Sequence, residues 1–527
     1  MWQYSDYSKI NPEVQSHFPF KCPRVDQLET ISEIVDAINR GFKYIVLEAG
    51  TGTGKSAIAA TLSSIYDSSY ILTVTKQLQD QYTDDFSSLC LVKGRGNFKC
   101  RRDMSLNCDE GKCILEEDSC ENPKTDCDYY SQKFRALNSK AVISNYHYMF
   151  LELNYVGDFT KRELLICDEA HNLENTLMSQ LKLEFSINDL KNHLKLKITD
   201  EMIYELDNGD YDVWLQFIRE IKDLYIAELE RIKDVRKPHL TEKISFIKKE
   251  INDCNRFIEN IIYDPYSWVF DYNAEYEIIE FKPLKVDNYA KNTLFKYGEV
   301  CIFMSATILD YMFFSKCLGI GEDEIYAIRR KSPFDLKRNP IKTVGEYNLS
   351  HKTIDENASK TIEVVEEILN MHKNEKGIIH TVSGTCKQYL MDNLNDPRLI
   401  DHNTQNRNEQ LEKFKNASEP LVLISPSMNE GVDLPGELCR FQIIYKLPYP
   451  DLGDKQIRMR ANADEDWYNY KTALSLIQTY GRGMRYDEDY CVTYLIDSRI
   501  REFISENKFL QDSFKYHFKQ NTCNDQS

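Results

Sequence analysis

The 527-residue sequence has no apolar run of 18 residues or more, so no segment reads as a membrane span. Its first residues, MWQYSDYSKINPEVQ, are polar and lack the apolar stretch of a signal peptide. Without secretion a disulfide framework has no oxidising compartment to form in, and a cytoplasmic or nucleoid-associated protein is expected. Internal repeats, low-complexity tracts and Gly/Ser linkers are missing as well, which excludes repeat arrays and loosely tethered modules. Positive charge is in deficit: 66 Lys and Arg stand against 84 Asp and Glu, a net charge of −18. That balance argues against binding nucleic acid with the whole surface, but not against a local basic track. One such place exists, where Lys93, Arg95, Lys99, Arg101 and Arg102 fall within ten residues.

Cysteine, by contrast, is concentrated. Of the 15 in the chain, Cys90, Cys100, Cys108, Cys113, Cys120 and Cys127 lie in one short stretch. In a reducing compartment such clustering points to metal ligands or catalytic thiols. The tight two-residue spacing usual in structural zinc sites does not occur there.

A chain of this length is too long for one core and divides into domains. KYIVLEAGTGTGKSAIAATLSSIY reads as buried strand, glycine-rich loop and helix. Strand-like runs recur at 70–74, 141–144, 164–167 and 300–304, and again at 377–382, 421–425, 442–446 and 491–497. Helical patterns alternate with both sets, which predicts two doubly wound α/β domains with parallel sheets. Two segments break the alternation: the cysteine-rich stretch and a charged segment, 181–290, expected to be helical. In the latter, Ile244, Ile247, Ile251, Cys254, Ile258 and Ile261 form one apolar stripe. Trp214, Phe217, Ile218, Ile221 and Tyr225 form another, so the segment is expected to pack on itself.

AGTGTGKS, residues 49–56, has the P-loop pattern, with Ala49 in place of its first glycine. Backbone N–H groups of Gly50, Thr51, Gly52, Thr53 and Gly54 would face phosphate oxygens, Lys55 would reach the β- and γ-phosphates, and Ser56 would ligate Mg²⁺. The helix N-terminus that follows adds favourable charge. In LLICDEAHNLE, Asp168 ends a buried strand and is placed to hold the magnesium, with Glu169 beside it to polarise a water and His171 at the next step. MSATILD sets Ser305-Ala306-Thr307 after a strand, where hydroxyls would link the nucleotide site to the other domain. QTYGRGMR supplies Gln478, Arg482 and Arg485; two guanidinium forks there read as fingers for γ-phosphate charge across a cleft.

In that order these motifs resemble a superfamily 2 helicase of the DEAH type, and the cysteines narrow the resemblance to the iron–sulfur branch, the XPD/DinG-like DNA helicases. It spans about residues 18–510. PRVDQLETI is similar to a Q-motif start (Arg24, Gln27), TVTKQLQDQ to motif Ia, LVKGRGNFKC and CDYYSQKFRALNSKAVISNYHY to segments flanking the cluster, KSPF to the start of the second motor domain, and NEGVDLPG to motif V. The resemblance implies two RecA-like motor domains, the first interrupted by an iron–sulfur domain and a helical arch. Boundaries are expected at 1–87, 139–180 and 291–330 for motor one, 88–138 for the cluster domain, 181–290 for the arch and 331–520 for motor two. Motor motifs beginning near 18 and ending near 500 leave no room for a fused nuclease.

The family implies ATP, Mg²⁺ and a [4Fe–4S] cluster, which takes four thiolates. Cys100 and Cys127 are the firmest ligands; Cys113 and Cys120 complete the set, with Cys108 competing for the place of Cys113. Cys90, in SLCLV, reads as a packing thiol. Zinc stays open as the alternative metal. The resemblance further implies a monomer without membrane attachment that travels 5′→3′ on single-stranded DNA and parts forked duplex, in repair or replication. A DNA clamp or switch driven by ATP is the alternative reading, and intact Glu169, Arg482 and Arg485 give it little support.

Overall fold

The structure, a computed structural model, describes residues 4–111, 123–232, 240–332, 336–350, 353–427, 434–483 and 488–524. Cys113, Cys120 and Arg485 lie outside these residues, as do most of NEGVDLPG and part of KSPF.

The apolar runs form two parallel sheets. The first has seven strands, in the order Ile325–Arg330, Tyr44–Ala49, Gly298–Ser305, Arg162–Asp168, Ser69–Thr73, Ala141–Asn145 and Cys90–Leu91. Every pairing in it is parallel. Tyr44–Ala49 and Ser69–Thr73 are buried at each residue, the pattern of strands covered by helices on both faces. Ile45, Val46 and Leu47 are fully buried, each contributing about 1.5–3 kcal/mol, so the strand feeding the P-loop is firmly anchored. The second sheet has six parallel strands, in the order Ile341–Tyr347, Val492–Asp497, Phe441–Ile444, Gly377–His380, Val422–Ser425 and Leu399–Asp401.

The 181–290 segment differs from the all-helical expectation. Helices Tyr211–Ile232 and Leu240–Tyr263 are present, and Ile218, Ile221, Ile247, Cys254 and Ile261 are buried as their stripes predict. They pack on an antiparallel sheet of Leu183–Ser186, Ile278–Pro283 and Trp268–Asn273. Its signal is a short period-two alternation, with Ile279 and Phe281 buried and Glu280 partly exposed between them. This sheet reaches the second domain: Lys282 Nζ lies 2.9 Å from both Asp271 and Asp454, and Gln456 donates to the Pro283 carbonyl.

Cys90 sits on the edge strand of the first sheet opposite Val142, in keeping with a packing thiol. Among the described residues no helix is long and apolar enough to cross a membrane.

Candidate nucleotide site at the domain cleft

Three neighbouring strands of the first sheet deliver the site from their C-terminal ends, where open α/β sheets bind ligands. Tyr44–Ala49 leads into the P-loop, Arg162–Asp168 ends on the aspartate, and Gly298–Ser305, between them, ends on the serine. In the loop, Gly52 and Gly54 take φ of +87° and +79°, which a side chain would resist. Helix Lys55–Ile65 follows directly, its N-terminus open toward the loop. Lys55 Nζ donates to the Ala49 carbonyl at 3.2 Å, and Thr53 Oγ1 to the Gly50 carbonyl at 2.8 Å.

Arg24 and Gln27 are brought onto this loop. Gln27 Nε2 donates to the Gly54 carbonyl at 3.0 Å, its Oε1 accepts the Arg24 N–H at 2.9 Å, and the Arg24 guanidinium bonds the Gly52 carbonyl. A Cβ added at Gly54 would stand 2.3 Å from Gln27 Nε2, so glycine lets the two segments meet.

Asp168 is 4% exposed. Its Oδ2 accepts the Tyr82 hydroxyl at 2.8 Å and its Oδ1 the Glu169 N–H at 3.0 Å. Burial, and then the Glu169 charge, raise its pKa to about 6. A buried carboxylate beside a second one is a place that a cation relieves, so Asp168 with Ser56 fits magnesium chemistry. Glu169 adopts φ of +52°, a strained conformation of the kind held at functional sites. His171 Nδ1 lies 2.8 Å from Ser305 Oγ and 3.3 Å from Glu169 Oε2, joining the acidic turn to the serine loop.

That loop runs between domains. Ile308 and Leu309 donate their N–H groups to Glu48 Oε2 at 2.8 and 2.6 Å, while the Ile308 carbonyl accepts Tyr470 Oη of the second domain at 2.8 Å. Glu48, buried at the end of the P-loop strand, also accepts from Arg329 and Gln511. Sequence reasoning passed over Glu48, which is adjacent to the motif and has no local signal for partners this far along the chain.

Across the cleft, a cavity of about 550 Å³ is lined by His171 and Asn172 from the first domain and His380, Ser475 and Gln478 from the second. Gln478 presents a buried amide nitrogen with no partner among the described residues. Arg482 lies in the turn Gly481–Gly483, after helix Glu465–Tyr480. Burial, and next the charge of Arg482, lower the His380 pKa to about 3, so that imidazole is neutral. A Cβ at Gly483 would meet Cys491 at 2.3 Å; glycine here lets the turn lie close against the residue that leads into strand Val492–Asp497.

In the cysteine-rich segment, Cys108 and Cys127 are buried with sulfurs 3.8 Å apart, and Cys100 lies on the hairpin of Lys99–Cys100 with Asp103–Asn107. Among the described residues no three metal-ligating side chains converge, and Cys113 and Cys120 are outside them. Two facing thiols are ligands of the kind that soft metals take, zinc and iron–sulfur alike. The basic cluster is partly spent on local contacts. Lys93 pairs with Asp80, Arg101 with Asp128, and the Arg95 guanidinium lies 5.2 Å over Tyr129 and 5.4 Å over Tyr130. Lys99 and Arg102 are exposed.

Comparison with known proteins agrees with this architecture. Residues 360–515 match the helicase C-terminal domain family, and residues 21–199 match the type III restriction enzyme, res subunit, family. A probable ATP-dependent helicase of Methanocaldococcus jannaschii is 22% identical over 95% of this chain and 96% of its own. The ATP-dependent DNA helicase YoaA of Escherichia coli is 23% identical over 91% and 92% respectively. A solved XPD helicase superposes with a TM-score of 0.66 at 15% identity, covering 95% of this chain and 99% of that one. The chain therefore has the two-domain α/β fold of the solved XPD helicase, and its two halves match a res-subunit domain and a helicase C-terminal domain.

Proposed function

We propose that this chain is a DEAH-type, ATP-hydrolysing DNA helicase that moves 5′→3′ along single-stranded DNA and parts forked duplex, as a monomer, in repair or replication. The observation that carries the proposal is the seam at the cleft. His171, which also lies against Glu169, meets Ser305 on one side, and the loop after Ser305 is held by Tyr470 from the other domain.

In this reading the P-loop N–H groups and Lys55 bind the phosphates of ATP. Magnesium held by Ser56 and Asp168 would neutralise charge on the β- and γ-phosphates. Glu169 orients the attacking water, and Arg482 with Arg485 completes the site when the domains close. Closing and reopening shift one DNA-binding surface against the other. The test is strand displacement on forks with a 5′ or a 3′ tail. Displacement from the 5′-tailed fork alone supports the proposal; ATP-dependent DNA retention without any displaced strand would make the protein a clamp.

The cluster proposal is equally concrete. We propose a [4Fe–4S] centre on Cys100, Cys113, Cys120 and Cys127, with Cys108, which is buried against Cys127, as the competitor for the place of Cys113. Because thiolate ligation and local folding are one event, Cys100→Ser, Cys113→Ser or Cys127→Ser should strip iron and abolish unwinding while sparing part of the ATPase. Cys108→Ser should keep its iron, and full loading in Cys113→Ser would exchange the two. Cys90→Ser should keep its iron. Iron and acid-labile sulfide on each variant decide the set, and stoichiometric zinc in the wild type would overturn it.

Single-strand binding should weaken with salt despite the acidic total charge. Replacing Lys99 and Arg102 by alanine should flatten the slope of log K against log salt by about 1.4, at about 0.7 per phosphate contact. An unchanged slope would assign these side chains to solvent.

A further inference from the structure

Helix Lys76–Asp85 carries a tyrosine that the nucleotide motifs do not require. Tyr82 is 1% exposed, and its ring packs against Phe86 with centroids 6.2 Å apart, inside the core beneath the P-loop helix. Its hydroxyl donates to Asp168 Oδ2 at 2.8 Å, and the Ser56 hydroxyl also interacts with the phenol. The phenol therefore stands between both side chains assigned to magnesium. The rest of Asp168 is fixed too: Oδ1 accepts the Glu169 N–H at 3.0 Å, and the carbonyl accepts Tyr146 Oη at 2.8 Å.

A carboxylate at the end of a strand keeps rotational freedom in its side chain unless an outer partner removes it. Groups that hydrogen-bond to a metal ligand from outside set its orientation, and losing one typically weakens metal binding by about 10–100-fold. We propose that Tyr82 is the positioning residue for the magnesium site: its O–H holds Asp168 so that the carboxylate meets the ion already oriented. The idea rests on the magnesium assignment of the proposed function and adds a residue outside the nucleotide motifs.

Tyr82→Phe keeps the buried ring and removes only the O–H. The experiment measures binding of a fluorescent ADP by the full-length protein, first in EDTA and then across a magnesium titration, with manganese binding followed by electron paramagnetic resonance. The variant should bind ADP in EDTA as the wild type does. Its half-point for magnesium should rise about tenfold, with manganese binding weakened in parallel and ATP turnover largely restored at excess magnesium. An unchanged half-point, or affinity lost equally in EDTA, overturns the positioning role. Asp168→Asn separates the two levels. If that variant retains the wild-type magnesium dependence, the site assignment itself fails; if it loses the dependence while Tyr82→Phe does not, only the role of Tyr82 fails.

Discussion

Lys55→Ala is expected to reduce ATP hydrolysis to background while single-strand binding stays within a few-fold of wild type. Removing one preorganised donor from a site of developing charge costs about 10²–10³ in rate, and this ammonium is the P-loop's own cation. The loop would keep its shape without it. Its turns come from Gly52 and Gly54, and it is fastened by Arg24 and Gln27, none of which depends on Lys55. ATPase assays and filter binding on the same preparation check this, and near wild-type hydrolysis would sink the motor assignment.

Arg482→Ala should lower turnover by about 10³–10⁵ with little change in ATP affinity, the loss seen when a comparable finger is removed. Its place supports the expectation. The turn Gly481–Gly483 closes the helix that carries Tyr470 and Gln478 to the cleft, and its seat on Cys491 holds it in position. Arg485→Ala is expected to behave alike. Turnover and affinity falling by equal factors would mean that the arginine binds the ground state instead.

Several parts of the site legible in the sequence share one property: they lie at or just beyond the end of a buried run. Lys55, Asp168 and Ser305 follow apolar strands, so composition marks the element and the element marks the residue. Partners reached through the fold carry no such mark. Tyr82 lies 86 positions from Asp168, and Glu48 lies 260 from Ile308. Within TKQLQDQYTDDF a tyrosine reads only as the inner face of a helix. The strands Leu183–Ser186, Trp268–Asn273 and Ile278–Pro283 escaped notice because each is short and long amphipathic helices dominate the windows around them. Among the cysteines the sequence reading sets Cys113 before Cys108, and the burial of Cys108 against Cys127 is a property of the folded chain alone.

The order of strands in the first sheet also governs how the protein is made. Tyr44–Ala49 pairs with Gly298–Ser305 on one side and Ile325–Arg330 on the other. Both neighbours are synthesised long after it. At about 5–20 residues per second, Gly298 follows Ala49 by on the order of 10–50 s. Throughout that interval an apolar strand leaves the ribosome with two unpaired edges, the form of chain most prone to mispairing. At equilibrium the intervening insertions cost little, because closure entropy rises by only about 0.6 kcal/mol for each doubling of loop length. Their burden falls on the nascent chain, which must keep this interior strand soluble until nearly two-thirds of the polypeptide exists.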